Sequence, residues 1–253
     1  MKIAIIGGTG LIGSKVVKNL IALGHDVLAA SPKSGVNAVT GEGLDIALKD
    51  VDVVVDVANS PASEWQDDKV MHFFKNGSEN LLAAEKKHGV KYHVALSVVG
   101  TDRLQDSGYF RAKKVQEDLI KKSGIPYTIV QATQFFEFVG GIAQGYTKDD
   151  KVVSPTALIQ PIASDDVAKA MTDATVMGAT NSVIEVGGPD KFKLDDLLRI
   201  YFSALNIKKE VIGSPGLTYF GAPFNDQTLC TKDGSKVGAH KYVNWISKPE
   251  NQK

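Results

Sequence analysis

Apolar residues in this chain follow two alternating rhythms. Ile3 to Ile6 are consecutive apolar residues running into Gly7-Gly8, too short for a buried helix and suited to a strand covered on both faces. Val16, Val17, Leu20, Ile21 and Leu23 then recur at helical spacing, and Gly24 stops them where a left-handed C-cap would sit. Asp26 to Ala30 reads as a second strand. Between residues 35 and 50 the spacing predicts a short strand at Val36–Val39 and a short helix near Leu44–Leu48. Asp52–Val57 follows as a clear buried strand. From Asp67 to His88, the spacing of Val70, Phe73, Phe74, Leu81, Leu82 and Ala84 predicts one long helix, ended by Gly89. Strands are expected at Lys91–Ser97, Tyr127–Gln131 and Val183–Val186, and helices from Tyr109 to about Ser123 and over Leu194–Leu205. Ser164 reads as an N-cap with Asp165 and Asp166 in the first helical turn, where carboxylates complement the dipole. Strand and helix alternate without repeats, the pattern of an α/β chain with a doubly wound parallel sheet. From Asn206 onward the periodicity is weak. Residues 1–253 are expected to form a single domain, with about 150–253 contributing a small C-terminal α+β cap.

The first strand and helix are joined by Gly7-Gly8-Thr9-Gly10-Leu11-Ile12-Gly13. Gly8, Gly10 and Gly13 satisfy G-x-G-x-x-G, and Gly7, Gly10 and Gly13 the G-x-x-G-x-x-G variant. Such a turn needs glycine for positive φ, for close approach of the backbone to a pyrophosphate and for tight helix–strand packing. The amides of Thr9, Leu11 and Ile12, at the positive end of the helix, then hold the phosphates. With a strand before it, a helix after it and a second strand closing the unit, this reads as the dinucleotide site of a Rossmann-type, NAD(P)-binding domain. The second strand ends in Ala29-Ala30-Ser31-Pro32-Lys33-Ser34, without the acidic residue that usually binds the ribose hydroxyls of NAD. Ser31 and Lys33 suit a 2′-phosphate, so NADP(H) is favoured, with NAD(H) possible. Ala58 and Asn59, after the strand at Asp52–Val57, are candidates for further contacts to the coenzyme, and turn formation accounts for Asn59 equally well.

Composition removes several alternatives. Lys and Arg balance Asp and Glu at 29 each, so no electrostatic footprint for nucleic acid or an anionic membrane is present. The one cysteine, Cys230, excludes an internal disulfide and fits a reducing compartment, and no Cys/His cluster suggests a metal. A first strand opening at residue 2 is expected to leave no room for a cleavable signal. No apolar run reaches the roughly 18 residues of a membrane span. The expectation is a cytoplasmic protein with a small-molecule substrate, no nucleic-acid or membrane partner and an open oligomeric state.

The candidate chemistry lies after the strand that ends at Ser97. Tyr109 and Lys113, four residues apart, share one helical face. There Lys113 can bind the nicotinamide ribose, and its charge is expected to lower the pKa of Tyr109 toward the working pH. Tyr109 would give a proton to a carbonyl oxygen as hydride arrives, and Ser97 would hold that oxygen. Phe135, Phe136, Phe138 and Val139 read first as core, or else as apolar pocket lining together with Trp65. Tyr219-Phe220-Gly221-Ala222-Pro223-Phe224 is a candidate substrate lid or partner surface.

The glycine turn, Ser97, Tyr109-Phe110-Arg111-Ala112-Lys113-Lys114-Val115-Gln116-Glu117, Ile125 to Gln131 and Gln160 to Ala168 together resemble the short-chain dehydrogenase/reductase superfamily, and within it the atypical NAD(P)H-binding, NmrA-like branch. The resemblance covers most of residues 1–190 and implies an oxidoreductase with Ser97, Tyr109 and Lys113 as its catalytic triad. This branch also contains non-catalytic redox sensors. The resemblance further places Ala132 against the nicotinamide, and Gln134, Phe135 and Trp65 are the substrate candidates. Extended members often carry an Arg-Pro pair where this chain has Gln131-Ala132-Thr133-Gln134-Phe135-Phe136.

Overall fold

A computed structural model describes residues 1–61 and 66–252. In chain order the elements are β1 (Lys2–Ile6), α1 (Leu11–Ala22), β2 (Asp26–Ala30), α2 (Leu44–Ala47), β3 (Val53–Asp56), α3 (Asp67–His88), β4 (Tyr92–Val98) and α4 (Gly108–Lys122). There follow β5 (Tyr127–Ala132), α5 (Val139–Gly145), β6 (Thr147–Lys148), β7 (Lys151–Ser154), β8 (Leu158–Ile159) and α6 (Ser164–Met177). The last are β9 (Ser182–Gly187), β10 (Phe192–Lys193), α7 (Leu194–Ala204), β11 (Glu210–Gly213), β12 (Lys236–Val237) and α8 (Tyr242–Ile246).

Seven strands form a parallel sheet in the order β12-β9-β5-β4-β3-β1-β2. β1 has β2 on one side, with Ile6 opposite Ala30, and β3 on the other, with Ile6 opposite Asp56. The chain therefore moves outward from β1 to β2 and returns past β1 to β3. That reversal is the switch point of a doubly wound sheet, where open α/β proteins bind ligands at the carboxyl ends of the strands. The α/β, Rossmann-type expectation holds. Among the described residues no helix is long and apolar enough to cross a membrane.

The chain divides into two compact units. The first comprises Met1–Ser97, Gly108–Gln131 and Val167–Ile184. Its core lies on β1 and β3: Ile3, Ala4, Ile5, Val53, Val54 and Val55 are fully buried, as a strand covered on both faces requires. Helix α3 turns Val70, Phe74, Ser78, Leu81, Leu82 and Glu85 inward, a stripe at helical spacing that includes two polar residues.

The expected strand at Val36–Val39 does not form. Asn37 makes only an isolated bridge with Glu42, and the Asn80 side chain of α3 donates to the carbonyls of Ala38 and Val39 at 3.0 and 2.9 Å. A side-chain amide thus takes the main-chain acceptors that a neighbouring strand would have paired.

The second unit comprises Val98–Ser107, Ala132–Asp166 and Glu185 onward. Beyond its part of the large sheet it carries two small ones, β11-β7-β6 and β10-β8. Arg103 fastens the loop 98–107 within it, donating to the carbonyls of Gln227 and Cys230 and to the Glu185 carboxylate. Phe136 packs its ring against Tyr242 and Trp245 at centroid distances of 5.1 and 5.5 Å. Asp166 holds His240 through the ring, Nδ1 to Oδ1 at 2.9 Å, and accepts its main-chain N–H at 3.0 Å. Ser164 is the first residue of α6, and its hydroxyl donates to Glu137.

Candidate coenzyme and catalytic site

Gly7 lies at φ +81°, a conformation that glycine reaches without strain, whereas Gly10 is extended. The turn is therefore the G-x-x-G-x-x-G form on Gly7, Gly10 and Gly13. It is closed by the Gly10 N–H donating to the Gly7 carbonyl at 3.0 Å. A Cβ on Gly7 would stand 2.9 Å from the Ala58 backbone, and one on Gly13 would stand 2.2 Å from the Gly7 carbonyl oxygen. The glycines thus press β1, α1 and the end of β3 into contact.

Helix α1 begins at Leu11 with no side-chain cap and no acidic residue in its first turn. The first amides of any helix lack an acceptor within it. Here Thr9, Gly10 and Leu11 are exposed at that end, and Ile12 and Gly13 are buried behind them. A diphosphate fits this cradle, with the amides of Thr9, Leu11, Ile12 and Gly13 as donors and the helix dipole behind them.

Ser31 is buried, and its Oγ has no partner among the described residues. Ser34 shapes the loop, its hydroxyl donating to the Ser31 carbonyl and accepting the Ser31 N–H, both at 2.9 Å. Lys33 is exposed on the short helical turn Pro32–Ser34. An orphaned buried hydroxyl and an exposed cation at the end of β2 fit a ribose bearing a phosphate. The segment 29–34 itself carries no carboxylate.

After β3, Ala58 donates its N–H to Asp56 Oδ1 at 3.0 Å. Asn59 is exposed, and its Oδ1 accepts the Tyr109 hydroxyl at 3.4 Å. The Tyr109 ring meets Phe74 and Phe110 edge to face, at 5.8 and 5.7 Å. Burial among these rings raises the Tyr109 pKa above the ordinary phenol value, opposite to the expected lowering.

Lys113 Nζ is buried, donates to the Leu96 carbonyl at 2.8 Å and to Gln116 Oε1, and lies 4.5 Å from the centre of the Phe74 ring. Burial pushes its pKa down to about 8, against the upward pull of Asp56 and Glu117. Ser97 is also buried and donates to Glu117 Oε1 at 2.7 Å. Glu117 further accepts Gln131 Nε2 at 2.7 Å and Lys121 Nζ at 3.0 Å. The Ser97 hydroxyl is thus engaged by a buried carboxylate.

Asp56, Gln116 and Glu117 escaped the sequence reading. A signal existed for each. Asp56 is the one charge ending an apolar strand, and Gln116 and Glu117 lie three and four residues after Lys113, where helix neighbours meet.

Of the remaining candidates, Ala132, Gln134 and Phe135 belong to the second unit. Ala132 is buried, and its carbonyl accepts the Val99 N–H at 2.9 Å. Gln134 is buried, with Oε1 unpartnered among the described residues. Phe135 is half-buried and stacks on exposed Phe138 at 5.3 Å, whereas Phe136 belongs to the core. Trp65 lies outside the described residues.

This unit has a cavity of about 610 Å³ lined by Pro155, Thr156, Lys193, Leu217, Phe224 and Asp226 among others, a volume common for small-molecule sites. Neither Gln134 nor Phe135 lines it. Beside it, Tyr219 and Ala222 exchange main-chain hydrogen bonds of 2.8 and 3.1 Å around Phe220-Gly221, both at positive φ.

A family profile described as NAD(P)H-binding matches residues 7–176. The chain is 26% identical over 225 residues to a divinyl chlorophyllide a 8-vinyl-reductase of Cucumis sativus, covering 75% of this chain and 53% of that one. It is 27% identical over 186 residues to the photosystem II assembly factor Ycf39 of Synechocystis, covering 67% and 56%. It thus spans about half the length of these curated relatives. Among solved structures, the Bordetella bronchiseptica enzyme WbmH in complex with NAD+ superposes with a TM-score of 0.73 at 15% identity, over 99% of this chain and 97% of that one. A dTDP-4-dehydrorhamnose reductase of Bacillus anthracis in complex with NADP gives 0.67 at 15% identity, over 85% and 84%. Those two likenesses concern the fold. With the profile covering most of its length, the chain belongs to the NAD(P)H-binding family and is of the atypical short-chain dehydrogenase/reductase, NmrA-like type.

Proposed function

We propose that the chain is an NADP-dependent oxidoreductase that passes hydride between NADPH and a small carbonyl, quinone or related electrophile. The observation that carries this reading is the glycine cradle at the switch point, with uncapped helix amides facing outward. NADPH, when bound, supplies the hydride. The amides of Thr9, Leu11, Ile12 and Gly13 hold its diphosphate, Ser31 and Lys33 its 2′-phosphate, and Lys113 the nicotinamide ribose.

Tyr109 donates the proton. Its raised pKa keeps it protonated at neutral pH, and the alkoxide formed when hydride reaches an aldehyde or ketone is a stronger base than a phenolate, so the transfer to that oxygen is downhill. Ser97 orients the oxygen once its hydroxyl turns from Glu117. Ala132 contacts the nicotinamide, Gln134 and Phe135 contact the substrate, and residues about 150–253 contribute the substrate-side cap. The relative named as a reductase supports the reaction class.

A second reading, an NADP-binding sensor without turnover, draws on the same structure. Ser97 and Lys113 both make internal hydrogen bonds, and one relative is named an assembly factor.

Titration calorimetry with NADPH and NADH, followed by NADPH oxidation against quinones, aldehydes and ketones, separates the readings. NADPH is expected to bind about tenfold or more tighter than NADH. The double replacement Ser31→Ala, Lys33→Ala is expected to erase that preference, as loss of charge-assisted hydrogen bonds does. Tyr109→Phe is expected to lower turnover roughly 10²-fold or more. Equal turnover in Tyr109→Phe removes Tyr109 as the acid, tight binding with no turnover on any substrate establishes the sensor, and absence of binding ends both readings.

A further inference from the structure

A buried lysine on a flexible stem holds one position only where acceptors fix it. Lys113 finds the Leu96 carbonyl, the Gln116 amide oxygen and the face of Phe74. The Gln116 amide is itself oriented, because its Nε2 donates to Asp56 Oδ2 at 2.9 Å. Asp56 is oriented in turn by the Ala58 N–H on its Oδ1, at the backbone against which Gly7 packs. A hydrogen-bonded chain therefore runs from the Ala58 N–H, on the backbone that Gly7 packs against, through Asp56 and Gln116 to the Lys113 amine.

Gln116 has a chemistry no other side chain of its length supplies. Its amide donates to a carboxylate and accepts from an ammonium at once. A glutamate there would set two like charges side by side, and a methionine would leave both neighbours short of a partner.

We propose that Gln116 and Asp56 are positioning residues for Lys113, holding its ammonium in one place and keeping it charged for contact with the coenzyme. This rests on the reading above only in that Lys113 touches the coenzyme. The charged and titratable groups facing the amine are Asp56 from β3 and Glu117 and Tyr109 from its own helix. From β4 it meets a carbonyl, and from α3 the Phe74 ring. The buried Glu85 farther along α3 is engaged by His93 of β4. Asp56 thus places a negative charge within reach of Lys113 without direct contact, and the ammonium persists where burial alone would discharge it.

The test is a pH titration of the full chain carrying ¹³Cε-labelled lysine, with the Lys113 resonance assigned by its loss in Lys113→Arg. The wild-type midpoint is expected at about 8. Asp56→Asn keeps the shape and removes the charge, and should lower the midpoint by about one pH unit. Gln116→Met should lower it as well, and Gln116→Glu, which pairs the ammonium directly, should raise it. Shifts of opposite sign at one position are not the signature of a packing role.

In parallel, the NADPH dissociation constant is measured from about pH 6 to about pH 10. Binding should weaken above the midpoint to the level of Lys113→Ala, with the inflection following each variant's titration. The proposal is overturned if the wild-type lysine titrates near its ordinary value, or if the three variants leave its midpoint in place. A chain that titrates as described and binds no coenzyme supports the positioning and defeats the functional reading alone.

Discussion

Gly13→Ala is expected to weaken NADPH binding at least about 100-fold and to lower the stability of the chain by about 1 kcal/mol. The added methyl would stand 2.2 Å from the Gly7 carbonyl oxygen and 2.7 Å from Gly8 Cα. Both obstacles are backbone atoms of the turn, so no side chain can swing aside. Overpacking a tight site costs about 1–3 kcal/mol, and alanine returns about 1 kcal/mol through its helix propensity, so the clash wins. Relief requires the turn to move away from α1. That movement carries off the amides that hold the diphosphate, so binding is expected to suffer far more than folding. Gly141→Ala is the control: it lies within α5, meets nothing within 4 Å, and is expected to stabilise by up to about 1 kcal/mol with unchanged affinity. Urea denaturation and calorimetry on the three proteins decide the matter. A Gly13→Ala protein that binds NADPH like the parent would show that the phosphates lie elsewhere.

What was legible in the sequence follows from the range of the forces involved. The glycine turn was legible because its demands are local: one positive φ and two close approaches within a few residues of each other. Helices α3 and α7 were legible because their buried faces repeat every three or four residues. The short β12 was not, since its two residues are exposed and their place depends on pairing with β9 about fifty positions earlier. The site shows the same division. Tyr109 and Lys113 were readable as helix neighbours, whereas the Gln116 link to Asp56 joins positions sixty residues apart. The pKa of Tyr109 came out opposite in direction because spacing reveals a nearby charge and not the ring packing of Phe74 and Phe110 that desolvates the phenol. Ser97 was rightly placed at the end of its strand, but no local pattern told that its hydroxyl would turn to Glu117.

Glu85→Ala is expected to destabilise the fold by about 3–5 kcal/mol, as breaking a buried ion pair does. Glu85 on α3 and His93 on β4 are 0% and 1% exposed, and Nδ1 lies 2.8 Å from Oε1. Burial raises the Glu85 pKa. Burial alone would lower that of His93, but the Glu85 carboxylate and its hydrogen bond, with Asp56 adding, raise it overall. Both shifts make the folded chain bind protons more tightly than the unfolded one. The stabilising contribution of His93 is therefore complete below its unfolded pKa of about 6.5 and is lost as the pH climbs through the raised folded value. In Glu85→Gln the partner charge is gone and burial is left to lower the histidine pKa, so the sign reverses: stability in that variant should rise with pH up to about 6.5 and level off above it. Urea unfolding of parent and variant from about pH 5 to about pH 8 should thus give a difference that is largest at the acid end and shrinks upward. Replacing both residues by apolar ones of similar volume should recover most of the loss, because the cost lies in stranding one charge and not in lacking the pair. A Glu85→Gln protein whose stability parallels the parent at every pH would mean that the pair carries no extra proton, and that α3 and β4 are held together by their apolar neighbours alone.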